Sequence, residues 1–128
     1  PLTTGGANFI APENASNSGD ITVGNINTRS FFSNSDSSII ILEARGSVVA
    51  GDLDADRSIG AGGQIDIDAL EGGVTVGNLD TSSTLSSGGS ISISSFGNVS
   101  TGELDANGNS SGGPIALPLV MAVFKQHR

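Results

Sequence analysis

Cysteine, tryptophan and tyrosine are missing from the 128 residues, and lysine, histidine and methionine occur once each. Zero cysteine excludes a disulfide scaffold and any thiolate-held metal. With five phenylalanines as the whole aromatic complement, platforms on which sugar rings could stack are scarce. Positive charge is also thin: five Lys and Arg face 13 Asp and Glu, for a net charge of -8. A chain this acidic is a poor partner for nucleic acid or an anionic membrane surface. Long apolar runs are absent too. The longest, Ile115 to Phe124, is ten residues and holds Pro118, far short of the roughly 20 that span a bilayer. Membrane insertion is therefore not expected. The first residues show no charged stretch followed by an apolar one, and a start at Pro1 leads us to expect a piece of a larger parent chain.

What is abundant is Gly (19), Ser (20) and Asn (10). Such a composition suits a disordered linker, so the apolar count decides. Leu, Ile, Val and Phe total 34, about 27%, above the roughly 20% below which disorder is the default. Twelve Ile and eight Val favour strands, because β-branched side chains suit a pleated surface. The length allows one domain.

Internal repeats dominate the chain. Gly19-Asp-Ile-Thr-Val-Gly-Asn-Ile-Asn-Thr28, Gly46-Ser-Val-Val-Ala-Gly-Asp-Leu-Asp-Ala55, Gly72-Gly-Val-Thr-Val-Gly-Asn-Leu-Asp-Thr81 and Gly97-Asn-Val-Ser-Thr-Gly-Glu-Leu-Asp-Ala106 share one pattern, with starts at 19, 46, 72 and 97. A second motif follows in phase: Gly62-Gly-Gln-Ile-Asp-Ile67, Gly88-Gly-Ser-Ile-Ser-Ile93 and Gly112-Gly-Pro-Ile-Ala-Leu117. In the first unit Ser37 to Ile41 takes that place. Apolar and polar residues alternate within the motifs, as in half-buried strands. The alternation breaks at Gly24, Gly51, Gly77 and Gly102, which predicts a corner where the backbone takes a conformation that only glycine adopts cheaply.

Units of about 26 residues with three short strands cannot each bury a core. Coiling the chain so that each unit stacks on the one before solves this and sets like on like. Ile21, Val48, Val74 and Val99 then form one inward column, and Ile26, Leu53, Leu79 and Leu104 another. The predicted fold is all-β, a right-handed parallel β-helix (β-solenoid) of about five coils. At about 4.8 Å per coil the rod is about 24 Å long. Residues 1–18 make a partial first coil, 19–117 the repeats, and 118–128 a tail outside the repeat. A β-helix end needs a cap, and Leu119 to Gln126 reads either as a short helix over that end or as a truncated tail.

The motif pair resembles the repeat region of filamentous haemagglutinin-like exoproteins, most of all their large cyanobacterial members. The resemblance covers about Gly19 to Leu117. It implies a β-helical shaft, export by two-partner secretion, an extracellular or outer-membrane surface location and a role in adhesion. The Asn-Pro-type motifs and signal peptide of that family's secretion domain are missing here, so the resemblance is to shaft. Implied partners are neighbouring domains of the parent chain, and cell-surface glycans or other cells.

Candidate chemistry is sparse. Asn27, Asp54, Asp80 and Asp105 share one repeat position, which stacks three carboxylates about 4.8 Å apart. Their repulsion, about 0.9 kcal/mol per neighbouring pair in water, could be relieved by Ca²⁺. The alternative is a column that faces solvent or bonds nearby backbone. We expect the solvated column, with no metal and no other cofactor, because Asn27 and the varying repeat lengths spoil a repeated coordination geometry. Asp52, Asp54, Asp56, Asp66 and Asp68 contain candidates for the carboxylate pair of glycoside hydrolysis. Ser nucleophiles lack an imidazole, since His127 in the tail is the only one. The column Thr22, Val49, Thr75 and Ser100 is too mixed for a regular water- or ice-ordering face. The expectation is thus a non-catalytic structural or adhesive shaft, with a carbohydrate-active β-helical domain, lyase or hydrolase, as the alternative.

Overall fold

The computed structural model describes residues 19–29 and 39–118 in full, and residues 2–3, 6–10 and 122–127 as backbone strands. Every regular element among them is a strand. In chain order these are β1 (Leu2–Thr3), β2 (Gly6–Ile10), β3 (Ile21–Thr22), β4 (Ile26–Asn27), β5 (Ile39–Ala44), β6 (Val48–Val49) and β7 (Leu53–Asp54). There follow β8 (Gln64–Ala69), β9 (Val74–Thr75), β10 (Leu79–Asp80), β11 (Ser90–Ser95), β12 (Val99–Asp105), β13 (Ile115–Ala116) and β14 (Ala122–His127).

All pairings are parallel and join each strand to its copy one repeat away. The molecule is a parallel β-solenoid with three sides. β3, β6, β9 and the start of β12 form the first side. β1, β4, β7, β10 and the end of β12 form the second, and β2, β5, β8, β11 and β13 the third. Four rungs carry all three sides, β12 supplying two sides of the last, with β1–β2 and β14 as partial rungs at the two ends, so the coil count differs slightly from the five expected.

Both apolar columns lie inward and in register. Ile21 pairs with Val48, Val48 with Val74, and Val74 with Val99; Ile26, Leu53, Leu79 and Leu104 do the same on the second side. The third side adds Ile40–Ile65–Ile91 and Leu42–Ile67–Ile93, all buried. Period-2 alternation explains this directly: in β8, Ile65 and Ile67 face in while Asp66 and Asp68 face out. Behind β4, β7, β10 and β12 runs a small-residue column, Thr28, Ala55, Thr81 and Ala106, also buried. The Thr28 hydroxyl donates to the Asp54 carbonyl at 3.5 Å, whereas Thr81 Oγ1 has no hydrogen-bond partner. A buried orphan hydroxyl costs about 1 kcal/mol or more, so Thr81→Val should raise the melting temperature by a few degrees; a drop on calorimetry would contradict it.

Two expectations need correcting here. The corner glycines do not have positive φ; among the described residues that conformation belongs to Gly19 (64°) and Gly60 (87°). The corner needs glycine for space instead. A Cβ on Gly51 would meet the Asn25 side-chain oxygen, one on Gly77 that of Asp52, and one on Gly102 that of Asn78. Those oxygens accept the N–H of the next coil's following residue: Asp52 N–H to Asn25 Oδ1 (2.8 Å), Asn78 N–H to Asp52 Oδ1 (2.9 Å) and Glu103 N–H to Asn78 Oδ1 (2.8 Å). Side chains thus carry the coil-to-coil ladder around a bend that backbone carbonyls alone do not cover.

The second correction is the tail. Ala122–His127 is the strand β14, paired in parallel with β12 from Val99↔Ala122 to Asp105↔His127, and no helix forms there. An exposed edge of seven-residue β12 offers unpaired N–H and C=O groups, and satisfying them outweighs the weak local preference of a short segment for helix. Leu119 to Met121 and Arg128 lie outside the described residues, as do Pro1, 4–5, 11–18 and 30–38.

Candidate functional site

The second side carries the acidic column. Asn27, Asp54, Asp80 and Asp105 stand in register, each closing the same local turn. Arg29 N–H donates to Asn27 Oδ1 (2.9 Å), Asp56 N–H to Asp54 Oδ1 (3.1 Å), Ser82 N–H to Asp80 Oδ1 (2.8 Å) and Asn107 N–H to Asp105 Oδ1 (3.0 Å). These are Asx turns, in which the short side chain mimics a backbone carbonyl and ends the strand. The column is therefore half-buried and bonded to backbone rather than freely solvated. Asn serves as well as Asp in this role, which accounts for Asn27.

Arg29 reaches from the first coil to the second. Its Nε lies 2.6 Å from Asp56 Oδ1 and 3.6 Å from Asp54 Oδ2. Carboxylate oxygens of Asp54, Asp56 and Asp80 come within 4.8 Å of one another. The grouping thus takes in Asp56 in place of Asp105, the residue that the repeat pattern nominated for the candidate column. Burial, followed by the hydrogen bond and charge of Asp56 and the charge of Asp80, pushes the Asp54 carboxyl up to about 7. Burial also raises Asp80, partly offset by hydrogen bonds from Ser82.

A carboxyl raised in the fold binds its proton where the unfolded chain, near pKa 3.9, has released it. Its stabilising effect is therefore full below about pH 4 and is lost as pH rises toward 7. Asp54→Asn keeps the acceptor for Asp56 N–H and removes the buried charge. It should be more stable than the parent at pH 8 by about 1 kcal/mol, solvent screening allowed for, with the gap closing by pH 4. Melts at both pH values that show the same gap would contradict this.

With an arginine already among the carboxylates, millimolar Ca²⁺ should leave the melting temperature within about 2 °C of that in chelator at matched ionic strength. A gap above about 4 °C that Asp56→Asn abolishes would establish a metal site instead.

The remaining sequence candidates are not brought to this cluster. Asp52 is exposed and engaged in the corner ladder. Asp66 and Asp68 lie on the outer face of the third side. A groove of about 390 Å³ runs where the loops enter that side, lined by Arg57, Gln64, Ser90, Pro114 and the pairs Gly62–Gly63 and Gly88–Gly89. None of its lining residues is acidic. Arg57 is 8% exposed and donates from Nη1 to the Ala61 carbonyl at 3.3 Å. His127 stands in register with Asp105 on β14; its side chain lies outside the described residues. Two features escaped the sequence reading: the corner ladder, signalled by an Asn or Asp after three of the four corner glycines, and the Arg29–Asp56 pair, for which the repeat offers no signal.

No protein-family model, no characterised protein and no solved structure matches this chain.

Proposed function

We propose that this chain is a structural or adhesive shaft segment without catalysis, of the filamentous haemagglutinin-like kind, working at an outer-membrane surface or outside the cell. One observation carries the reading: the repeated polar side chains hold the rod together. Asn25, Asp52 and Asn78 link coils, and Asn27, Asp54, Asp80 and Asp105 close turns. A surface whose repeated polar groups are engaged in this way suits a stiff spacer. Neighbouring domains of a parent chain, and glycans or cells at the far end, are the partners this reading entails.

A carbohydrate-active domain is the second reading, and one observation favours it. The Asp54 carboxyl beside Asp56 is raised to about 7, as the acid of an acid–base pair requires, although their oxygens, within 4.8 Å of one another, stand closer than the roughly 5–9.5 Å of such a pair. Against it, the groove and these carboxylates do not coincide. Incubation with a panel of acidic and neutral polysaccharides decides between the two, with reducing ends and unsaturated uronates as readouts. We expect no turnover, together with binding of chain-coated beads to glycans or cells. Turnover abolished by Asp54→Asn would overturn the shaft reading in favour of the enzyme.

A further inference from the structure

Arg57 is a buried cation at a place where the repeat does not call for one. The same repeat position holds Ser30, Ser83 and Gly108 in the other units. Arg57 pairs in parallel with Ser83 of the next coil, and there a neutral hydroxyl serves the loops. Ser83 Oγ donates to the Gly60 carbonyl (2.7 Å) and accepts the Ser86 N–H (3.0 Å). Arg57 is only 8% exposed, and taking a guanidinium out of water is costly unless an opposite charge or strong hydrogen bonds offset it. Its bond to the Ala61 carbonyl, at 3.3 Å, is long and goes to a neutral acceptor.

The groove of about 390 Å³ that Arg57 lines has no acidic residue in its wall. Its floor crosses the coils. Gln64 pairs with Ile39 below and Ser90 above, and Pro114 follows one rung on, so four rungs span about 14 Å. The glycine N–H groups beside it are already engaged, Gly62 with Ser87 O, Gly63 with Ala55 O and Gly89 with Thr81 O. An anion in this groove is therefore held by side chains. Arg57 supplies the charge, and the Gln64 amide and Ser90 hydroxyl supply neutral polar groups.

We propose that the groove binds a sugar acid, a ligand with one carboxylate on a hydroxyl-bearing body of one or two rings. The carboxylate meets Arg57, whose planar fork matches it, and the hydroxyls meet Gln64 and Ser90. A single cation on a chain of net charge -8 favours one negative charge over a dianion such as phosphate. The volume suits a small ligand. A spacer needs no such site, so the shaft reading stands or falls apart from this one.

The test titrates the isotope-labelled full chain with glucuronate and follows its amide resonances. Saturable shifts are expected at Gly62 to Gln64 and at Gly88 to Ser90, with a dissociation constant of about 1–10 mM. Glucose, which lacks the carboxylate, should bind at least about tenfold more weakly. Inorganic phosphate at equal concentration should not displace the sugar acid, and added salt should weaken it. Arg57→Gln should keep the parent's circular dichroism and lose at least about tenfold in affinity. Arg57→Ser, which installs the residue found at the equivalent place in the next coil, is the second variant and should behave alike. No saturable shift at about 50 mM glucuronate, equal binding of glucose, displacement by phosphate, shifts centred away from the groove, or a folded Arg57 variant that binds as the parent does would each overturn the proposal.

Discussion

Gly77→Val should destabilise the solenoid by about 3 kcal/mol, the upper range for forcing atoms into packed space. The added Cβ meets the Asp52 side chain and lies 3.2 Å from both Asp52 N and Gly51 C in the coil before. Valine must therefore push the Asp52 oxygen off Asn78 N–H, or separate two coils whose corner backbones bond at 3.0 Å, Gly77 N–H to Gly51 O. Gly24 supplies the control. It holds the same repeat position, but a Cβ there has nothing within 4 Å, so Gly24→Val should stay within about 0.5 kcal/mol of the parent. Urea melts of the two variants read this contrast. A second check is the double variant Asp52→Ala/Gly77→Val, in which the Val penalty should shrink because its first obstacle is gone. Equal effects at Gly24 and Gly77 would remove the close-approach account of the corner.

Leu79→Ala is expected to cost about 2–5 kcal/mol, the range for emptying a leucine-sized space in a core. Leu79 is 1% exposed and sits between Leu53 and Leu104 in the central coils. Neighbours held on both sides by parallel ladders cannot collapse into the void. Each coil is stabilised chiefly by the coils on either side, so the loss should spread. Hydrogen exchange should quicken at the amides of Leu53 and Leu104 as well as at residue 79. An effect below about 1 kcal/mol, or exchange altered at residue 79 alone, would speak against a shared core.

The architecture was legible because a solenoid writes its tertiary contacts into local sequence. A residue's neighbour in space is its copy one repeat away, so Val48 over Ile21 and Leu79 over Leu53 follow from counting. Period-2 alternation then chooses the face, since a slip by one residue would bury Asp66 and Asp68 and expose Ile65 and Ile67. The small acidic column was legible only as a column. Its hydrogen bonds from Asp56, Ser82 and Asn107 depend on how the chain leaves each strand.

Amino-acid sequence by itself thus determined the all-β class, the repeat length, the inward columns and the acidic surface, since each follows from local alternation and composition. Only the tertiary structure decided that the corner glycines serve close approach instead of positive φ, because the obstructing Asn25, Asp52 and Asn78 oxygens come from another coil. It also decided that Asp54 groups with Asp56 and Asp80, and that the Arg29 guanidinium lies among them. The tail belongs to the same class. Ala122–His127 has no repeat signature, and it takes its strand conformation from the open edge of β12, a partner some twenty residues away that no local preference encodes.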